Sequence, residues 1–122
     1  MGSLDTSAGT VNTKSITYSA TTAGDQATPI ITAVAGKKIR VYSLAVSISI
    51  GGTNCYIRNG AGGSALTETF FRTLSGSSFP AYYQRTAYSG IWLYESETNK
   101  ALVLNCTTAS AVVSVSIVYS YV

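Results

Sequence analysis

A short basic segment at the head of an apolar run has the clearest potential for ligand chemistry. Gly36, Lys37 and Lys38 precede the run IRVYSLAVSISI, and a glycine followed by a lysine forms part of the phosphate-binding P-loop. That loop also requires a glycine five residues earlier and a serine or threonine after its lysine, but Ile31 and Lys38 occupy those positions. We therefore predict no phosphate loop. The two lysines are expected either to prevent a strand edge from pairing with another chain or to contact an acidic partner surface.

Acid–base catalysis has few candidate groups in this chain, which contains no histidine and five carboxylates. Glu95 and Glu97 could share one face of a strand and imitate a glycosidase pair. No neighbouring sequence supplies the apolar pocket that raises the pKa of a catalytic acid, so a solvated strand end is the stronger expectation. A calcium site made by these two residues and Asn99 matches no loop signature, and Lys100 opposes it. We predict a protein that is not an enzyme and that has no metal site and no cofactor.

The two cysteines, Cys55 and Cys106, are too few for a disulfide framework or a zinc site. Cys55 lies two residues from Ile57 and Cys106 lies two residues from Leu104, so each cysteine points to the same face of its predicted strand as an apolar neighbour. Both side chains should therefore point into the core. Two buried, reduced thiols are the main expectation, and a bridge between neighbouring strands is the alternative.

Nine tyrosines are unusual in a chain of 122 residues. Tyr82, Tyr83 and Arg85 lie just after Pro80, which predicts an edge strand or a structured loop. Tyrosine with arginine is typical of surfaces that bind protein, and tyrosine rings can also stack on a sugar. The alternative is a segment packed over the end of the fold with its hydroxyls in water. We expect the single tryptophan, Trp92, in the core.

The composition predicts a polar surface that carries little charge. Only 11% of the residues are charged and 46% are hydrophobic, while the net charge is +3. Such a surface suits long-lived protein contacts and predicts an oligomer or an assembly component. The mild positive charge predicts no nucleic-acid partner. The chain has no apolar run of membrane-spanning length, so we expect no membrane partner, and its first residues lack the features of a cleaved signal.

Period-two alternation dominates the chain, and this predicts an all-β protein. We expect a flexible N-terminal arm over residues 1–14 and one β-sandwich domain over residues 15–122. Turn residues separate about eight short strands, which favours a single antiparallel sandwich of jelly-roll type. The expected strands cover residues 16–20, 29–33, 37–50, 54–58, 66–71, 90–95, 101–107 and 111–122.

One strand breaks the alternation. Leu44, Val46 and Ile48 occupy even-numbered positions and Ile39 and Val41 occupy odd-numbered positions, so in a regular strand the two sets would point to opposite faces. Either a bulge near residue 42 shifts the register, or both faces of the strand are covered there. In the second case Ile39 and Val41 would contact a neighbouring subunit.

The segments AVAGKKIRVYSLAVS, GGSALT and GIWLYESETNKALVLN, followed by a tyrosine-bearing C-terminal strand, resemble small decoration, or cement, proteins of tailed-bacteriophage capsids. The resemblance covers about residues 30–122. It implies a jelly-roll-like β-sandwich, usually a homotrimer, on the outer capsid surface of the virion, where it ties neighbouring major capsid proteins together after assembly in the host cytoplasm. It implies no catalytic motif.

The resemblance assigns no contact residues, so the candidates rest on the physical arguments above. An alternative function is a carbohydrate-binding or host-recognition module of a phage fibre, with a glycan stacked on Trp92 or on the tyrosines. The candidate protein-contact residues are Lys37, Lys38, Ile39, Val41, Tyr82, Tyr83 and Arg85.

Overall fold

The computed structural model describes residues 10–50, 53–71, 81–87 and 91–122. In these residues the chain forms β-strands separated by turns and bends, and none of the described segments contains a helix that could cross a membrane. The strands are β1 (Asn12–Tyr18), β2 (Gly24–Asp25), β3 (Ile39–Ile50), β4 (Asn54–Asn59), β5 (Phe70–Phe71), β6 (Ala81–Thr86), β7 (Tyr94–Glu95), β8 (Leu102–Cys106) and β9 (Val112–Tyr121).

The strands form two antiparallel sheets. Sheet A has the order β1-β9-β3-β6, and β7 also pairs with β3; sheet B has the order β2-β8-β4-β5. The strand β6 pairs with residues 43–48 of β3 and β7 pairs with residues 40–41. Since β9 occupies the other side of β3 along this whole length, β6 and β7 act as one interrupted edge strand.

This pairing confirms the predicted all-β sandwich of jelly-roll type. With β6 and β7 counted as one strand, the first strand pairs with the last, the second with the second-last, and so on to the innermost pair of β4 and β5. A long antiparallel ribbon that is rolled up in this way is a jelly roll.

The core lies between the two sheets and follows the alternation in the sequence. In β9, Val113, Val115 and Ile117 are buried, while Ser114 and Ser116 face outward. Full burial of one such aliphatic side chain contributes about 1.5–3 kcal/mol. The other large, fully buried side chains are Phe70, Ile30, Ile31, Ile39, Leu44, Ile48, Ile57, Leu102, Leu104, Val41 and Val46.

A β-bulge explains the broken parity in β3. Val41 pairs with Tyr119 and Ser43 pairs with Val118, so Tyr42 is an extra residue on β3. The bulge turns the side chains on both of its sides toward the same core, and Ile39 and Val41 are each only 1% exposed. The expectation that Ile39 and Val41 contact a neighbouring subunit is therefore wrong.

Several element bounds differ from the prediction. The expected strand at residues 29–33 is reduced to a single bridge, in which Ile31 pairs with Leu102. The segment with Tyr82 and Tyr83 is the edge strand β6, one of the two predicted options. The strand β1 begins at Asn12, so residues 12–14 of the predicted arm pair with β9. Residues 1–9 lie outside the described part of the chain, and the flexibility of the arm stays a prediction.

Candidate protein-contact surfaces

The predicted basic segment lies at one end of the sandwich. Gly36 has a positive φ of 76°, a conformation that glycine adopts without strain, and it closes the turn before Lys37. The backbone N–H of Asn99 donates to the carbonyl of Lys37 at 2.9 Å, and Gly36 donates to the side chain of Asn99. The Asn99 turn therefore holds the backbone of Lys37, whose side chain remains exposed to solvent.

Lys38 belongs to a small ion-pair cluster rather than to an open cationic surface. Its Nζ lies 3.4 Å from Oε1 of Glu95, and Nε of Arg40 lies 2.6 Å from Oε2 of the same carboxylate. The Arg40 hydrogen bond, followed by the Lys38 hydrogen bond and the two positive charges, lowers the pKa of Glu95. Lys37 is thus the better candidate for an electrostatic contact.

Trp92 is a surface residue, which corrects the expectation that it lies in the core. Its side chain is 40% exposed, and the guanidinium of Arg40 lies 5.5 Å from the centre of its ring. The next residue, Leu93, is held to β3 by a backbone hydrogen bond of 2.7 Å to Val41. The indole therefore covers the Arg40 cation at the sheet edge instead of entering the core.

The three candidate residues of β6 do not form one patch, because successive side chains of a strand point to opposite faces. Tyr82 faces outward and is 61% exposed. Tyr83 faces inward and packs on Phe70 with a ring-centroid distance of 5.2 Å. Arg85 lies on the inward side, where its Nε is 3.0 Å from Oε2 of Glu68. Of these three, Tyr82 is the residue most available to a partner.

Glu68 joins the two halves of the interrupted edge strand. It accepts hydrogen bonds from Arg85 of β6 and from the hydroxyl of Tyr94 of β7. The Tyr94 hydrogen bond, together with Arg85, lowers the pKa of Glu68, while burial and the adjacent carboxylate raise the pKa of Tyr94 to about 12. A carboxylate held ionised in this way is a poor general acid, and here it links β6 to β7.

The outer face of sheet A carries no formal charge over the part where β1, β9, β3 and β6 lie side by side. The register aligns its outward side chains in three rows of four, one residue from each of β1, β9, β3 and β6. We refer to these residues as the charge-free face. Its rows are Thr17, Ser114, Ser47 and Tyr82; Ser15, Ser116, Ala45 and Gln84; and Thr13, Val118, Ser43 and Thr86.

Hydroxyl groups of the charge-free face bond to one another across strands. The side-chain oxygens of Ser15 and Ser116 are 3.0 Å apart, as are those of Thr17 and Ser114. The sequence showed serine at alternate positions of single strands, but the two-dimensional surface depends on the register between strands. Sequence reasoning therefore did not identify it.

The outer face of sheet B has a different character. There Arg58 pairs with Asp25 at 3.1 Å, and the side-chain amide of Asn105 donates to the same Asp25 oxygen at 2.8 Å. The Asn105 hydrogen bond, with further contributions from Gly62 and Arg58, lowers the pKa of Asp25. The charge-free face thus differs from the outer face of sheet B, and the paired charges on the outer side of sheet A, Arg40 and Glu95, lie beyond the bulge.

The described residues include no group of three or more histidine, cysteine, aspartate or glutamate side chains arranged to hold a metal ion. No protein-family model, curated protein or solved structure matches the chain.

Proposed function

We propose that this chain is a non-enzymatic structural protein of a tailed-phage virion. In this role it decorates the outer surface of the capsid and stabilises it by bridging neighbouring major capsid proteins. It acts as a homo-oligomer, for which the resemblance described above implies a trimer. Nucleic acid, membrane and cofactor have no part in the proposed function. The observation that carries the proposal is the charge-free face, presented by a small jelly roll whose sequence resembles decoration proteins.

The fold supports this proposal only in combination with the sequence. Jelly rolls recur in viral capsid domains, but also in lectins and in enzymes, so the fold by itself does not assign a function. The resembling segment AVAGKKIRVYSLAVS builds the basic turn and most of β3, and the segment GIWLYESETNKALVLN contains β7 and most of β8. The resemblance therefore extends over both sheets of the sandwich.

The state of the carboxylates also favours a structural role. Asp25, Glu68 and Glu95 each accept hydrogen bonds from a cationic side chain, and the pKa of each is lowered. General acid catalysis needs a carboxyl group whose pKa is raised toward the working pH. These three groups have the opposite tendency, and they hold loops and edge strands in place.

Capsid decoration needs only modest affinity at each contact. A shell repeats the same surface many times, and an oligomer that contacts several capsid proteins at once gains from a high effective concentration. Exposed Lys37 can add a weak, salt-dependent attraction to an acidic surface, whereas the charge-free face requires no ionic partner.

Co-sedimentation of the purified protein with expanded, undecorated shells of its phage tests the proposal, with unexpanded shells as the control. We expect saturable binding, with a stoichiometry set by the symmetry of the shell. Absence of binding to expanded shells at saturating protein concentration would exclude the decoration role.

A second candidate function is glycan binding by a module of a phage fibre, and exposed aromatic residues favour it. Tyr82 and Trp92 are 61% and 40% exposed, respectively, and both rings could stack on a sugar. Glycan-array binding that is lost in Tyr82→Ala or Trp92→Ala would support this function. Tyr83→Ala is a poor probe because Tyr83 packs on Phe70 in the interior.

A further inference from the structure

We propose that the dipeptide of Asn59 and Gly60 is a deamidation site that the fold protects. In the unfolded chain Asn59 converts to aspartate or isoaspartate, and the converted chain no longer reaches the stability of the original fold. This chemistry is independent of the proposed function. Three observations carry the proposal: the dipeptide itself, the hydrogen bonds that hold both of its residues, and the groups that a new carboxylate would meet.

The dipeptide has the sequence in which deamidation is fastest. Asn59 precedes a glycine, whereas the other four asparagines of the chain precede threonine, cysteine or lysine. In the reaction the backbone nitrogen of Gly60 loses its proton and attacks Cγ of Asn59, and the side-chain nitrogen leaves with that proton as ammonia. Water then opens the resulting succinimide ring at either carbonyl and gives aspartate or isoaspartate. Glycine has no Cβ to obstruct the attack, so Asn59 should react first in an unfolded chain.

The fold holds the attacking nitrogen in a closed turn. The backbone N–H of Gly60 donates to the carbonyl of Ala101 at 2.8 Å, so this bond must break before the nitrogen can lose its proton. The backbone N–H of Asn59 donates to the carbonyl of Ser64 at 2.8 Å and closes the turn. A Cβ on Gly63 would lie 1.7 Å from the carbonyl oxygen of Asn59, which shows how closely the turn packs on itself. The reaction therefore requires the turn to open.

The fold also holds the amide that would be attacked. The side chain of Asn59 is buried, and its Oδ1 accepts a hydrogen bond from the backbone N–H of Glu97 at 2.9 Å. Its Nδ2 donates to the hydroxyl oxygen of Ser64 at 3.2 Å and to the carbonyl of the same residue at 3.4 Å. One amide thus connects the end of β4, the turn that follows it and the loop before β8. These bonds oppose rotation of the amide toward the nitrogen of Gly60.

The surroundings of Asn59 do not suit the product of the reaction. The hydroxyl of Ser64 donates to Oε2 of Glu97 at 2.8 Å, so toward Asn59 it is an acceptor. An aspartate at this position would replace the amide donor by an ionised oxygen that faces two acceptor oxygens, and it would add a negative charge beside Glu97. Isoaspartate would also lengthen the main chain by one atom opposite Leu102. Both products should therefore destabilise the fold.

Protection by the fold makes the modification depend on unfolding. When a protein opens and closes rapidly, the rate of a slow reaction follows the fraction of time that the site is open. For a stable small domain the globally unfolded fraction is below about one part in 1,000. A chain that stays unfolded lacks this protection, and its chemical modification then makes unfolding irreversible.

Incubation of the full chain at pH 8, in buffer and in denaturing urea, tests the proposal when tryptic peptides are followed by mass spectrometry. Trypsin cleaves after Arg58 and so separates Asn54 from Asn59. In urea the mass increase of an amide-to-acid conversion should appear at Asn59 before it appears at Asn54 or Asn99. In buffer the reaction at Asn59 should be at least about 100-fold slower. Gly60→Ala is the control for the chemistry, because its added methyl group should slow the reaction in urea.

Asn59→Asp reproduces one product of the reaction, and Asn99→Asp is its matched control. The side-chain oxygen of Asn99 accepts a hydrogen bond from Gly36, and a carboxylate retains that acceptor. Asn59→Asp should lower the unfolding temperature by about 5 °C or more, and Asn99→Asp by less than about 2 °C.

The chain treated with urea and returned to buffer provides the same comparison if Asn59→Asp does not fold, since its modified and unmodified fractions then refold side by side. Failure of the modified fraction alone to refold would support the proposal. Equal rates at Asn59 in buffer and in urea would overturn it. It would also be overturned by a reaction in urea that is no faster at Asn59 than at Asn54 and Asn99, or by a deamidated chain that refolds with an unchanged unfolding temperature.

Discussion

Nε of Arg40 lies 2.6 Å from Oε2 of Glu95, and both side chains are 20% exposed. The two residues are direct partners in the register between β3 and β7. Since β7 contains only two residues, this ion pair, together with the contact from Lys38, holds a very short strand on the edge of sheet A. The residue pair therefore stabilises the sheet edge next to exposed Trp92.

Glu95→Gln should destabilise the fold in a manner that depends on pH. The pKa of Glu95 in the folded state lies below its ordinary value of 4.5. Its stabilising effect is therefore complete above that pH and is lost as the pH falls through the folded-state pKa. We expect Glu95→Gln to lower the free energy of unfolding by about 1 kcal/mol at pH 7, after allowance for solvent screening. Urea unfolding at pH 7 and pH 3 measures the difference, which should shrink at the lower pH.

The matched control for this prediction is Glu97→Gln, two residues further on. Glu97 is exposed and accepts a hydrogen bond from the neutral hydroxyl of Ser64 at 2.8 Å. Its substitution should have a smaller effect. Equal losses for Glu95→Gln at both pH values would show that the ion pair does not stabilise the fold.

Tyr18→Phe should change the stability of the protein at alkaline pH. The hydroxyl of Tyr18 donates to the carbonyl of Thr28 at 2.8 Å, and burial, followed by Cys106, raises the pKa of Tyr18 to about 12. Because the ordinary value is 10, the fold loses stability between pH 10 and 12 as the unfolded chain releases this proton first. Tyr18→Phe should cost about 1 kcal/mol at pH 7 and weaken the alkaline dependence.

The alkaline dependence should persist in part after Tyr18→Phe, since burial also raises the pKa of Tyr94 to about 12. Thermal unfolding at pH 8, 10 and 11 provides the measurement. An alkaline slope that is the same with and without Tyr18 would contradict the prediction.

Ile39→Ala tests the position of the bulge in β3. Ile39 is 1% exposed, so its truncation leaves a cavity and should cost about 2–5 kcal/mol in the free energy of unfolding. Val34→Ala, five residues earlier and 40% exposed, is the control and should change stability by less than about 0.5 kcal/mol. If Ile39 contacted a subunit instead, Ile39→Ala would alter the dissociation constant of the oligomer and leave the stability of each chain nearly unchanged.

Cys55 and Cys106 should remain reduced and protected in the folded protein. They face one another in the register of β4 and β8, both are fully buried, and both are free. The hydrogen bond with Cys106, followed by burial, raises the pKa of Cys55, and the full burial of both thiols keeps reagents away from them in the folded protein. Alkylation followed by mass spectrometry should label neither thiol in buffer and both in denaturant.

A bridged pair is the outcome that would contradict this prediction. The backbone N–H of Thr107 donates to the carbonyl of Asn54 at 2.9 Å. Hydrogen-bonded and non-hydrogen-bonded residue pairs alternate along antiparallel strands, so the neighbouring pair of Cys55 and Cys106 is a non-hydrogen-bonded pair. Cα atoms in these positions are about 4.5 Å apart, which is compatible with a disulfide. A mass that is lower by two hydrogens under non-reducing conditions, with no alkylation in denaturant, would reveal the bridge.

Alternation predicted the fold class and the long strands because each sheet has one buried face. In β9, Val113, Val115 and Ile117 are buried and Ser114 and Ser116 face outward, as their spacing indicated. Ser120 departs from this pattern. It is fully buried next to the bulge, where its hydroxyl lies 2.8 Å from that of Tyr42.

Features that depend on pairing between strands could not be predicted from the sequence. The two-residue strand β2 has no periodicity to detect, and Ile30 and Ile31 resemble a strand although Ile31 makes only one bridge. The position of Trp92 depends on Arg40, which is remote in sequence. The charge-free face likewise exists only after β1, β9, β3 and β6 have been aligned.

Calorimetry of expanded phage shells, with and without saturating amounts of this protein, tests the central claim most directly. It measures the temperature at which the shells disassemble. A protein that bridges neighbouring capsid proteins binds the intact shell better than the separated subunits, and it must therefore raise the temperature of disassembly. We predict a shift that grows with occupancy and stops at saturation. A disassembly temperature that stays unchanged on fully decorated shells would contradict the stabilising role.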